Sequence, residues 1–126
     1  MGYYTQYELE TIGNHEYPIS DIAKYMLQKN KADGDSFYPF ENQIKDRYII
    51  DDTVEDLYMD PYDECKWYKH DTEMLDLSKK FSNVIFKLHG DGEETGDIWD
   101  TYYKNGKMQH CQAEMIIPPY DESKLQ

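Results

Sequence analysis

Tyr3, Thr5, Tyr7 and Leu9 alternate with Gln6, Glu8 and Glu10 at the start of the chain. A period of two belongs to a half-buried strand, so residues 3–11 are predicted to be one, ended by Gly13-Asn14. The period then changes. Ile19, Ile22, Ala23 and Met26 fall at i, i+3, i+4 and i+7 and predict a helix over 18–30. Pro18 suits its first turn, Tyr17 or Ser20 could cap it, and Asn30 with Asp33-Gly34-Asp35 closes it.

Residues 31–64 are the least regular and read as an acidic insertion. Asp33-Gly34-Asp35-Ser36 is turn chemistry. Arg47-Tyr48-Ile49-Ile50 has the composition of a short strand. Val54, Leu57 and Tyr58 have helical spacing, with Pro61 as a stop.

Beyond the insertion, aromatic alternation through Cys65-Lys66-Trp67-Tyr68 predicts a strand over 64–69. Asp71 has the chemistry of an N-cap, and Met74, Leu77 and Phe81 mark the buried face of a helix over 71–81. Lys79 and Lys80 suit the negative end of its dipole. Val84 to Leu88 predicts a strand over 83–89. Asn105-Gly106 is a strong hairpin signal between strands at 98–104 and 107–117. A two-residue turn sets Lys104 against Lys107, Tyr103 against Met108 and Thr101 against His110. Trp99, Thr101, Tyr103, Met108 and His110 then share one face. Cys111, Ala113 and Met115 alternate on the other, which predicts a bulge or a strand buried on both sides.

The element order is β-α-β-α-β-β. Two helices over one face of a mixed antiparallel sheet predict a single α+β domain, a ferredoxin-like sandwich with a C-terminal hairpin.

Charge narrows the function classes. The 126 residues hold 26 acids and 13 bases, a net charge of -13, with 13 tyrosines. Nucleic acid is bound by neutralising phosphate, so direct binding to it is disfavoured, as is an anionic membrane surface. A basic protein is favoured as partner. Cys65 and Cys111 lack metal-site spacing and are expected to be buried, reduced thiols in a cytoplasmic protein. The opening residues have no signal-peptide character. His15, His70, His89 and His110 are scattered without metal-ligand spacing, and no catalytic motif occurs, so no cofactor, metal or enzymatic activity is expected.

Two acidic segments remain. Asp51, Asp52, Glu55, Asp56, Asp60, Asp63 and Glu64 form a run without Lys or Arg, with Tyr58 and Tyr62 inside it. It reads either as a solvated surface or as a partner-binding stripe in which carboxylates imitate phosphates and tyrosines supply anchors. Gly90 to Asp97, with Asp91, Glu93, Glu94 and Asp97, reads first as a strand connection with glycines at special dihedrals, and second as an acidic functional loop.

Met1 to Glu8, Cys65-Lys66-Trp67-Tyr68 through Gly106, and above all Gly90 to Trp99 and Tyr103 to Lys107, resemble small acidic proteins of bacteriophages and mobile elements. The resemblance implies a phage-like origin and a ferredoxin-like body. At the level of class it also implies an inhibitor of host defence, such as an anti-CRISPR protein or a DNA mimic.

The function expected from these residues is non-enzymatic binding. Asp51, Asp52, Glu55, Asp56, Tyr58, Asp60, Tyr62 and Asp63, then Asp91, Glu93, Glu94 and Asp97, would dock on the basic site of a nucleic-acid-processing host protein, such as a defence nuclease. The alternative is sequestration of a small nucleotide signal, for which Arg47, Lys66, Trp67, Lys104 and Lys107 are the available binding groups. Oligomeric state is left open.

Overall fold

The computed structural model describes residues 2–13, 17–48 and 56–126. Strands β1 (Thr5–Ile12), β2 (Tyr58–Met59), β3 (Ile85–Gly92), β4 (Ile98–Lys104) and β5 (Lys107–Gln112) form one sheet in the order β2-β1-β3-β4-β5. Helix α1 (Ile19–Asp33) follows β1. A short α2 (Glu41–Gln43) is entered by a 3-10 turn at Tyr38–Phe40 and left by a π turn at Ile44–Tyr48. Helix α3 (His70–Lys80) precedes β3.

The class is α+β. The ferredoxin-like arrangement is not confirmed. That fold contains split βαβ units with parallel strands, and here every paired strand is antiparallel.

Alternation decides which sheet face is buried. Tyr7, Leu9, Phe86, Leu88, Trp99 and Tyr103 join Ile22, Ala23 and Met26 of α1 and Met74 and Leu77 of α3 in one core. Each large apolar side chain fully buried there contributes roughly 1.5–3 kcal/mol. The helices lie side by side: Tyr25 donates to Asp76 at 2.7 Å and meets Phe81 edge-on. The opposite face carries Glu8, Glu10, Lys87, His89, Asp100 and Tyr102, all part-exposed. Lys87 lies 3.5 Å from Glu10 there, and His89 Nδ1 lies 2.7 Å from Asp100.

The insertion is not peripheral. Phe37, Phe40, Ile44, Tyr48, Leu57 and Met59 are all buried in the common core. Arg47 and Tyr48 belong to the π turn and not to a strand, while Ile49 and Ile50 lie outside the described residues. Leu57 leads into β2 and not into a helical turn; Val54 is outside the description. The Tyr48 hydroxyl accepts from the Tyr58 N–H at 2.9 Å and donates to the Tyr58 carbonyl, which pins β2 to the body.

Residues 64–69 also depart from expectation. Only Cys65 pairs, as a single bridge to Thr5. The neighbouring backbone groups are taken by side chains: Lys66 N–H donates to the Tyr38 hydroxyl, and the Trp67 carbonyl accepts from Tyr7. Trp67 is drawn inward, edge-on to Tyr7 and Phe40, and its indole N–H donates to Glu73 at 2.9 Å. Burial holds the Glu73 carboxyl above the usual range.

Helix ends shift as well. Pro18 is the N-cap of α1, and Gly34 closes it in the left-handed conformation. Lys69, and not Asp71, is the N-cap of α3. Asp71 instead accepts from the Tyr103 hydroxyl and lies 3.1 Å from His70 Nδ1.

The hairpin has the predicted register, including Lys104 opposite Lys107 and Thr101 opposite His110. Asn105 and Gly106 both have positive φ, as a type I′ turn requires. Pairing is continuous from Lys107 to Gln112, without the expected bulge, and β5 is an exposed edge strand. Residues 113–117 do not continue it. Cys111 is therefore exposed and Cys65 only part-buried.

Candidate functional site

Thr5 joins the two acidic segments. Its backbone exchanges hydrogen bonds of 2.8 and 2.9 Å with Cys65 on one side, and it is in register with Gly92 on the other. Gln6 repeats the arrangement, donating to the Pro61 carbonyl at 2.8 Å while standing in register with Asp91. Residues 60–65 and the 91–97 turn thus flank the first strand at one end of the sheet. Asp60, Asp63 and Glu64 stand on one side, and Asp91, Glu93, Glu94 and Asp97 on the other.

These carboxylates divide into two groups. Glu93 accepts from the Tyr4 N–H at 2.8 Å, and Asp97 accepts from the Tyr3 hydroxyl at 2.6 Å. The Tyr3 oxygen in turn accepts from the Glu94 N–H at 3.0 Å. Glu93 and Asp97 therefore hold the N-terminal segment against the turn. The Asp97 carboxylate is the main reason the Tyr3 hydroxyl is raised above its ordinary value. Asp60, Asp63, Glu64, Asp91 and Glu94 are exposed, and no described side chain pairs with their carboxylates. A carboxylate with no partner in its own chain is open to an incoming cation, through an attraction that salt screens.

The glycines of the turn are needed for packing. A Cβ on Gly90 would stand 2.2 Å from the Trp99 indole, and one on Gly92 would stand 2.4 Å from Tyr3 and Asp97. Only Gly96 has a positive φ, at 84°. The turn is a strand connection by construction, and its free carboxylates are carried on it.

Two tyrosines extend this surface. Tyr62 is 97% exposed. Tyr58 is part-exposed beside Glu8, Asp60 and Glu10; burial first, and those carboxylates second, raise its hydroxyl above the ordinary value. Asp56 is exposed just before β2. Asp51, Asp52 and Glu55 lie outside the described residues. Sequence reasoning missed Tyr3 and Gln6, whose partners lie far away in the chain. Their only sequence signal was membership of the first strand.

The basic residues considered for a nucleotide site are not brought together. Lys66 and Trp67 line a cleft of about 170 Å³ with Asp35, Tyr38, Tyr68, Lys69 and Glu73. That is smaller than the roughly 300 Å³ at which ligand pockets begin, and its two carboxylates offset its two lysines, leaving no net positive charge for a phosphate. Trp67 is buried and offers no stacking face. Lys104 and Lys107 stand at the opposite end of the sheet, and Arg47 lies over the Tyr48 ring.

Among the described residues no group of three or more His, Cys, Asp or Glu is arranged to hold a metal ion, and no helix is long and apolar enough to cross a membrane. No family model matches the chain, and searches of curated proteins and of solved structures returned no match.

Proposed function

We propose that this protein is a non-enzymatic binding protein that docks the acidic end of its sheet on a basic site of another protein. The observation that carries the reading is the convergence of the two acidic segments on either side of Thr5. One segment alone reads as a solvated surface. Two, fixed by backbone pairing, present free carboxylates at set positions, as a phosphate backbone does, with Tyr62 as a contact anchor. A groove built for nucleic acid has the complementary charge, which makes a nucleic-acid-processing protein the fitting partner. The phage-like resemblance directs the reading to a host defence nuclease.

The test is a pull-down from bacterial lysate at low and high salt, followed by binding measurements on the captured protein. Changing Asp60, Asp63, Glu64 and Glu94 to Lys should weaken binding by roughly 10-fold or more and leave the circular dichroism spectrum unchanged. Tyr62→Ala should weaken it less, in a way that does not depend on salt, because contact area and not charge is lost. Equal affinity of the reversed variant and the parent would refute the acidic-end reading.

A further inference from the structure

The chain's C-terminal arm has the composition of an interface but is barely covered by its own body, which it touches at Gly96 through Met115. After the Ala113 N–H donates to the Ile98 carbonyl at 2.8 Å, every residue to Gln126 is exposed. Met115, Ile116, Ile117, Tyr120 and Leu125 are each 65–83% exposed. Apolar side chains in such a concentration mark a surface that is covered when the protein works.

The arm leaves from β5, whose six residues are all exposed at the sheet edge. The opposite edge, β2, has only two residues and is too short to pair with another chain. An edge six residues long, with Lys107 its one charged residue, is a template for a further strand.

We infer that the occupant is a second copy of this chain, with β5 pairing antiparallel to β5 about a two-fold axis and each arm crossing onto the other copy. Two observations, a cleft and a set of charges, fit that choice. Antiparallel pairing sets Gln112 of one copy beside Lys107 of the other, so each arm emerges at the opposite copy's hairpin. An open cleft of about 410 Å³ lies there, lined by Tyr102, Tyr103, Lys104, Lys107 and Met108.

Charge agrees. Lys79 packs against Gly106 at the hairpin turn, between Lys104 and Lys107, and none of the three lysines has a carboxylate within ion-pair distance among the described residues. Three unpaired lysines in a chain with twice as many acids as bases form a local cationic site. The arm brings Glu114, Asp121 and Glu122 against a single Lys124. An isologous contact satisfies both copies at once. The inference does not rest on the acidic-end reading, since β5 and the arm take no part in it.

Sedimentation of the full chain should give twice the chain mass of 15.1 kDa. Deleting residues 113–126, or replacing Ile116 and Ile117 with Asp, should return the single mass with an unchanged circular dichroism spectrum, because the arm adds nothing to the core. Lys104→Glu with Lys107→Glu should raise the dissociation constant in a salt-dependent way. If the truncated chain does not fold, hydrogen exchange on the full chain decides: the Lys107–Gln112 amides should gain protection as concentration rises. A monomeric full chain, a truncated chain that remains dimeric, or protection independent of concentration would each overturn the inference.

Discussion

The two ends of the sheet are held by different physics. At the acidic end, strands and turn are tied by side chains reaching across the chain: Tyr3 to Asp97, Tyr4 N–H to Glu93, and Gln6 to the Pro61 carbonyl. At the hairpin end, the geometry comes from the type I′ turn and a local register, with Ser78 accepting the Gly106 N–H at 2.9 Å. The first end rests on long-range contacts and carries free carboxylates; the second is local and carries free lysines. A long-range end depends on its steric fit, whereas a local end tolerates change as long as its turn residues remain.

The sharpest way to break that contrast is steric. Gly90→Ala forces a methyl into the Trp99 indole, a buried ring already stacked on His70. Overpacking of this kind costs about 1–3 kcal/mol. Lys104→Ala at the hairpin end, measured like Gly90→Ala in the chain shortened by residues 113–126, removes only an exposed side chain and should shift stability by less than about 0.5 kcal/mol. Urea denaturation of the two variants measures the difference. Equal losses would mean that the acidic end is not sterically specified.

A smaller effect probes the same Trp99 contact by pH. His70 stacks on Trp99 at 5.2 Å, beside Asp71 and near His110. Burial pushes its imidazole below the ordinary 6.5, outweighing the pull of Asp71, and His110 lowers it slightly further. The unfolded chain therefore takes up a proton as pH falls through about 6.5, while the folded chain resists it. Stability should fall below that pH and level off once folded His70 is itself protonated. His70→Gln should flatten this part of the profile. The loss belongs to the contact of α3 with β4, where His70 stacks on Trp99. A profile unchanged by His70→Gln would place the dependence elsewhere.

Which parts were legible in the sequence follows the same division. Local signals succeeded: the Asn105-Gly106 turn, its register, both long helices and the first strand were readable because each depends on neighbours in the chain. Trp67 misled, since its alternation suits a strand, whereas Tyr38 and Tyr7 take the backbone groups a ladder would need. Leu57 and Met59 alternate as a strand should, but the spacing of Val54, Leu57 and Tyr58 also suits a helix. Periodicity cannot say whether a strand lies at an edge, so β5 was expected to be covered and Cys111 to be buried. For the candidate site, the residues were visible as two separate acidic segments. Their convergence depends on Thr5 pairing with both Cys65 and Gly92, and that register leaves no local trace.

The smallest expected effect concerns the thiols, and it reports on both ends of the sheet. Cys65 lies at the acidic end, half-buried, with its Sγ 3.3 Å from the Asp63 carbonyl. Burial, and then Asp63, raise its thiol above the ordinary value, so little thiolate is present to react. Cys111 is on the exposed edge strand, where a reagent has direct access. A thiol reagent at mildly alkaline pH should modify Cys111 quickly and Cys65 only slowly until the chain unfolds. Cys111→Ser should remove the fast phase and leave the slow one. Pairing of β5 with a second copy would cover the same edge, so the fast phase of the full chain should slow as protein concentration rises. In the chain shortened by residues 113–126 it should stay fast at every concentration. Rapid modification of Cys65 in the native protein would show that the Thr5–Cys65 pairing, and with it the joined acidic end, does not persist in solution.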